Sequence, residues 1–236
     1  MSDYPYNMPQ YGGVDYAVGA RISSVMKSVY LRMTFGLLVT AVVALLGFSQ
    51  GFLNFMFTHS FVYWGLFIAE IVLVLVISAR ITKMQASTAA ALFYLFAIVN
   101  GLALCPIFAI YTGTSIAKTF LICSGTFGAM SIYGYTTKSD LSKLGSLLIM
   151  ALFGLIICSV VNIFWGNSTF DWIISFIGVA LFIGLTAWDT QKIKQMAEVM
   201  PAASIGHIAT IGALNLYLDF INLFLYLLRF FGSSRD

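Results

Sequence analysis

Seven long apolar runs follow one another along most of this 236-residue chain, near residues 31–51, 61–79, 88–111, 115–135, 145–165, 170–190 and 207–231. An α-helix rises ~1.5 Å per residue, so a run of about 20 residues crosses the ~30 Å hydrocarbon core of a bilayer. None of the runs alternates with the period of two that a barrel strand needs. The expected fold is therefore all-α: a polytopic membrane bundle of seven transmembrane helices. Most connections are short, so neighbouring helices should run antiparallel. The stretch 191–206, with Lys192, Lys194, Glu198 and Pro201, reads as a true loop.

Only 9% of the residues are charged and 60% are hydrophobic. A soluble domain carries roughly 25% charged residues, and this chain could not cover a globule with polar surface. Its twelve Lys and Arg lie singly or in pairs at the ends of apolar runs. That is the placement of topology signals and not of a phosphate-binding stripe, so nucleic acid is not an expected partner. Cys105, Cys123 and Cys158 all fall inside apolar runs, where an odd number of thiols reads as small apolar packing. His59 and His207 stand far apart, so no Cys/His metal spacing exists and no resident cofactor is expected. Residues 1–28 are polar and rich in Tyr and Gly, and read as a flexible cytoplasmic tail or short surface helix before a membrane domain at 29–232. The first apolar run begins near Met33 and is too long for a signal peptide, so the N-terminus is expected to be retained.

Basic residues set the expected orientation. With a cytoplasmic N-terminus, that side holds Arg21, Lys27, Arg32, Arg80, Lys83, Lys138, Lys143, Lys192 and Lys194, and the other holds Lys118, Arg229 and Arg235. This bias places the C-terminus outside. A seventh segment that dips in and returns is the alternative, because it would bring Arg229 and Arg235 back to the cytoplasm.

An ionised side chain at bilayer depth costs at least ~2.5 kcal/mol, so Glu70, Asp189 and Asp219 each need a reason. In the seventh span Asn215, Asp219 and Asn222 are spaced i, i+4, i+7 and form one polar stripe on a helix otherwise filled with Leu and Phe. Such a helix must turn its stripe to the bundle interior or to water, which makes it a candidate for the central position. Asp189 lies near the cytoplasmic end of the sixth span, as either a functional acid or an interfacial helix-end residue. Arg80 ends the second span level with it, as either its ion-pair partner or a snorkelling topology residue. Glu70 lies about ten residues, or ~15 Å of rise, deeper than Arg80. It reads equally as a hydrogen-bonded structural carboxyl and as part of an ion path, together with Asn215 and Asn222. Asn100-Gly101 in the third span reads as a close-packing feature.

The phrases AWDTQKI at 187–193 and ALNLYLDFINLFLYLLRFFG at 213–232 resemble the bacterial branch of the Bax-inhibitor, or transmembrane Bax inhibitor motif, family. WGLFIAEIVLVLVISARI at 64–81, GYTTKSDLSKLG at 134–145 and GLAL at 101–104 extend the resemblance over about residues 20 to 232. It implies a seven-helix fold with the last helix surrounded by the other six. It also implies a pH-sensitive calcium leak of the cell (inner) membrane, controlled by two aspartates that fall by motif on Asp189 and Asp219, with Arg80 as partner of the first. Some bacterial relatives are instead implied to modulate membrane-anchored proteases. The implied partners are thus lipid, calcium, protons and, in the alternative, a membrane protease. Two carboxylates at low dielectric cannot both ionise cheaply, and the pair is expected to share a proton. Carboxylates are also the hard oxygen donors calcium prefers, which makes Asp189 and Asp219 candidate calcium ligands.

Three other classes compete. A regulatory protein without flux would use the Tyr-rich tail or the 191–206 loop as its contact surface. An intramembrane aspartyl protease also places two aspartates in neighbouring spans, but its G-x-G-D phrase is absent and Asp219 follows Leu216-Tyr217-Leu218. A proton-coupled transporter would need a substrate pocket that the sequence does not display. No enzymatic activity is expected.

Overall fold

A computed structural model describes residues 11–201 and 204–233. Among these the chain forms nine helices: α1 (Tyr11–Gly47), α2 (Gln50–Thr58), α3 (Ser60–Arg80), α4 (Ala86–Leu104), α5 (Ile107–Ile110), α6 (Gly113–Thr136), α7 (Ser142–Trp165), α8 (Ser168–Val199) and α9 (Ile205–Phe231). Seven spans are long and apolar enough to cross a membrane, with α4 and α5 together making the third. The break after Leu104 comes at Pro106, which lacks the N–H that would continue the helix.

Local chemistry sets several ends. Asn167 Oδ1 accepts from Phe170 N at 3.1 Å to cap α8, and Thr112 Oγ1 accepts from Ser115 N at 3.3 Å to cap α6. Gly166 closes α7 at φ +61°, a left-handed conformation that a residue with a Cβ adopts only with strain. In the turn before α7, Asp140 Oδ1 accepts from Ser142 N at 2.9 Å. The Ser142 hydroxyl and that backbone hydrogen bond hold the exposed Asp140 carboxyl below its usual range.

The bundle is built around α9. Of its most apolar 18-residue stretch 67% is buried, against 6% for α3 and for α7. It packs against α8, α1, α6 and α4, while α3 rests chiefly on α4 and α7 on α8. The expectation of a central last helix holds, and its cause is the polar stripe. α9 runs unbroken for 27 residues, about 40 Å of rise, so the re-entrant alternative does not form.

The two ends of the bundle are tied differently. At one end Thr112 N donates to Ser233 O at 3.2 Å, Ser233 N donates to Ser115 Oγ at 2.9 Å, and Arg229 pairs with Asp171 at 3.1 Å. At the other, Arg21 donates to Glu198 O and Arg32 to Gly206 O and Thr210 Oγ1. Gln191 there bridges Ser139 O and Leu141 N, each at 2.8 Å, and His207 Nε2 meets Met84 O at 2.8 Å. The long charged residues thus collect at the end where α8 meets α9, as their distribution along the sequence implies.

Two segments differ from expectation. Residues 1–10 lie outside the described residues, but the stretch from Tyr11 to residue 28 is the first part of α1 and continuous with the first span, so no tail boundary falls at 28. Ile22, Val25, Met26, Val29 and Met33 recur every three or four residues and are buried in the core. The loop expected at 191–206 is mostly helix, because α8 continues to Val199 with Gln191, Ile193 and Ala197 buried. Lys192 and Lys194, between those buried positions, are half-buried.

Helix crossings are close where glycine removes the side chain. A Cβ on Gly134 would collide with the Ala187 carbonyl across the α6–α8 crossing, whereas one on Gly128 would meet nothing within 4 Å. Gly134→Ala is expected to lower the melting temperature of the detergent-solubilised protein, with an overpacking cost of about 1–3 kcal/mol. Gly128→Ala should leave it unchanged or raise it, since alanine is the better helix former. Equal melting temperatures for the two variants would contradict the close α6–α8 crossing.

Candidate functional site

Asp189 on α8 and Asp219 on α9 face one another in the interior. They are 7% and 4% exposed. The two carboxyl groups are close enough to interact, and Asn215, one turn before Asp219, lines the same cavity wall. Among the described residues Asp189 Oδ1 and Asp219 Oδ2 are buried with no hydrogen-bond donor of their own. Two adjacent carboxyls with orphaned oxygens are an arrangement that one proton between them satisfies, whereas two ionised groups would repel at low dielectric. Lys192, one turn further along α8, lines the same cavity, and its ammonium stands 4.7 Å from the centre of the Trp188 ring.

The pair borders an open-sided cavity of about 560 Å³ between α7, α8 and α9, which Asn215, Asn222 and Lys192 also line. A second cavity of about 430 Å³ lies between α3, α4 and α9 and contains Glu70 and Asn100. Phe67, Leu218 and Asn222 border both, so the two spaces adjoin. The polar stripe Asn215/Asp219/Asn222 therefore runs along a cavity wall. Asn222 Nδ2 donates to Leu218 O of its own helix at 2.8 Å, which occupies its amide donor and turns the side chain along the helix.

Glu70 takes part in a second polar cluster. Its Oε1 accepts from Asn100 Nδ2 at 2.8 Å, Asn100 Oδ1 accepts from the Tyr217 hydroxyl at 2.8 Å, and that hydroxyl lies 2.6 Å from Thr40 Oγ1. One chain of hydrogen bonds thus crosses α3, α4, α9 and α1. The two readings of Glu70 coincide in the structure, since the half-buried carboxyl is hydrogen-bonded and also lines a cavity. Asn100, read from the sequence as a packing residue, is the hydrogen-bond partner of this acid. Gly101 beside it is the packing residue, because a Cβ there would lie 2.8 Å from Thr40 O. Tyr217 and Thr40 carry no sequence signal of their own: a tyrosine and a threonine in apolar helices are common, and only the packing of α1 against α9 brings these two together.

The structure does not bring Arg80 to Asp189. Arg80 is exposed at the last turn of α3, and among the described residues the one ion pair is Arg229–Asp171. The reason is architectural: α3 packs chiefly on α4. As for calcium, no group of three or more His, Cys, Asp or Glu side chains stands close enough to hold a metal ion among the described residues. Two carboxyls with neighbouring amides supply only part of the six to eight oxygens calcium takes.

Residues 22–236 match the family described as inhibitor of apoptosis-promoting Bax1. The chain is 46% identical over 220 residues to the inner membrane protein YbhL of Escherichia coli K12, covering 92% of this chain and 94% of that protein. It is 44% identical over 214 residues to a protein of Borreliella burgdorferi, covering 89% and 92% of the two chains. It is also 34% identical over 187 residues to a membrane protein of Streptococcus pyogenes serotype M3, covering 79% and 81%. A match over this much of the chain, on a seven-span bundle with α9 at its centre, makes this protein a member of the Bax inhibitor family.

Proposed function

We propose that this protein is a pH-sensitive calcium leak of the inner membrane, in which Asp189 and Asp219 form one proton-sharing site that controls ion passage. The observation that carries this reading is the pair of buried carboxyls on α8 and α9, each with an orphaned oxygen, at the wall of a cavity. Removing or adding the shared proton changes the charge between the two most interior helices, and separation of α8 from α9 is the direct response to two negative charges placed there. Glu70, Asn215 and Asn222 continue the polar wall beyond the pair, along the two adjoining cavities. The inner-membrane location follows the similarity to YbhL. The end carrying Arg21, Arg32, Lys83, Lys138 and Lys194 faces the cytoplasm, with Arg229 and Asp171 on the far side.

Replacing either aspartate by asparagine keeps shape and hydrogen-bonding capacity but removes the titration. Asp189→Asn and Asp219→Asn should therefore each flatten the pH dependence of calcium uptake into liposomes holding purified protein, even where flux remains. A wild-type pH profile in both variants would rule the site out, and no calcium flux from the wild-type protein at any pH would favour a regulatory role.

Arg80 has its own test. Because no contact joins it to Asp189, the effects of Arg80→Ala and Asp189→Asn on flux should add within ~0.5 kcal/mol. Clear non-additivity would show a state in which α3 closes on α8 and the two side chains pair.

Orientation is tested by thiol labelling in intact cells. Over the background of Cys105, Cys123 and Cys158, Ser139→Cys should resist a membrane-impermeant reagent until lysis, and His59→Cys should label at once. The reverse pattern would invert the topology.

A further inference from the structure

α1 packs on α4 and α9, and α6 packs on α8 and α9, which leaves a crevice of about 700 Å³ between α1 and α6. Its floor is Phe127 and Phe220, whose rings meet edge to face at 5.4 Å. Its mouth is bordered by Leu38 on α1 and Ile132 on α6, which are 54% and 67% exposed on the outer surface of the bundle. The crevice therefore opens sideways, toward the hydrocarbon of the bilayer. An apolar cavity of ~150 Å³ already takes a benzene ring. This one is several times larger and elongated along the two helices, which matches a chain better than a ring.

One end of the crevice is polar and basic. Ser131 lies there, buried, with an Oγ that has no hydrogen-bond partner. Tyr135 lines the same end, and the Lys194 ammonium donates to Tyr135 O at 3.1 Å and stands 5.2 Å from the centre of its ring. On α1, Lys27 precedes Tyr30 and Thr34 by three and seven residues, so it prolongs the lining stripe of that helix beyond the apolar floor. Lys138 follows Tyr135 by three residues in the turn after α6. The acid in that turn, Asp140, is engaged with Ser142. Basic side chains at the membrane–water boundary select acidic headgroups.

We propose that the crevice between α1 and α6 binds an acyl chain of an acidic phospholipid, with the headgroup held by Lys27, Lys138 and Lys194. The chain lies along Phe127 and Phe220 and fills the gap between two helices that do not close on each other. The ester and phosphate oxygens come to the end where Ser131 offers an unused hydroxyl. Phe220 is the neighbour of Asp219 in α9, so an occupied crevice bears directly on the helix that carries the buried acid.

Native mass spectrometry of the delipidated full-length protein in detergent tests this, with phosphatidylglycerol and phosphatidylcholine of identical chains as probes. The wild-type protein should retain phosphatidylglycerol at least tenfold better than phosphatidylcholine. Gly128→Leu places a side chain in the open space of the crevice and should reduce phosphatidylglycerol retention about tenfold at an unchanged melting temperature. Lys27→Ala with Lys138→Ala, both exposed positions, should abolish the preference while leaving the weaker retention common to both lipids. Equal retention of the two lipids by wild type, a preference that survives the lysine substitutions, or full retention by a folded Gly128→Leu would each overturn the proposal. Displacement of phosphatidylglycerol by equimolar oleate would also overturn it, in favour of a free fatty acid. If Gly128→Leu does not fold, the wild-type comparison and the lysine variant decide the matter alone.

Discussion

A polar group inside a bilayer has no water to turn to, so it must find its partner within the protein. That constraint falls hardest on α9, which carries Asn215, Tyr217, Asp219 and Asn222 along one membrane crossing. Two of these groups turn to the helices around α9. Asp219 is met by Asp189 from α8, and Tyr217 by Asn100 from α4 and Thr40 from α1. Asn222 turns back to Leu218 of its own helix. The rest of the architecture follows: α8, α1, α6 and α4 wrap the polar helix, and the largely apolar α7, with α3, is left to face lipid. α3 carries one polar group at depth, Glu70, and it is this group that ties the helix to Asn100 of α4.

The two polar clusters differ in kind. The chain from Thr40 through Tyr217 and Asn100 to Glu70 has a donor for its acceptors, with distances of 2.6 to 2.8 Å, and holds four helices in register. The Asp189–Asp219 pair is incomplete, because two carboxyls have no proton between them unless one is supplied. A complete network rigidifies, and an incomplete one responds to its surroundings. Both lie along α9, so a change at the pair acts on a helix whose middle is already pinned on the opposite side. In the proposed function α8 is the helix that moves against a held α9, and both aspartates border the cavity beside it.

Much of this was legible in the residues. Long apolar runs located all seven spans, and the i, i+4, i+7 spacing of Asn215, Asp219 and Asn222 identified the central helix, because both signals are local and periodic. The meeting of Asp189 with Asp219 was indicated by motif, not by spacing. What the sequence hid depends on tertiary packing. The start of α1 alternates Arg21 and Lys27 with Ile22, Val25 and Met26, and its low mean hydropathy masked an amphipathic helix that continues past the membrane boundary. The end of α8 hides in the same way, with Ile193 and Ala197 buried between lysines. Arg80 ends its span as read from the sequence, but which helix faces which cannot be read from a position along the chain, and α3 turns to α4. The Thr40–Tyr217 contact joins residues 177 apart in the chain and has no local signature.

The central claim is that Asp189 and Asp219 behave as one titrating unit. Infrared difference spectroscopy of the protein in a lipid film, stepped across pH, reads protonated carboxyl groups directly in their C=O stretch. If the proton is shared, the carboxyl band of the wild-type protein should be lost or displaced in both Asp189→Asn and Asp219→Asn, and the two single-variant spectra should not sum to the wild-type spectrum. Two carboxyl bands that each vanish with their own substitution and leave the other unmoved would show two independent acids and contradict the account.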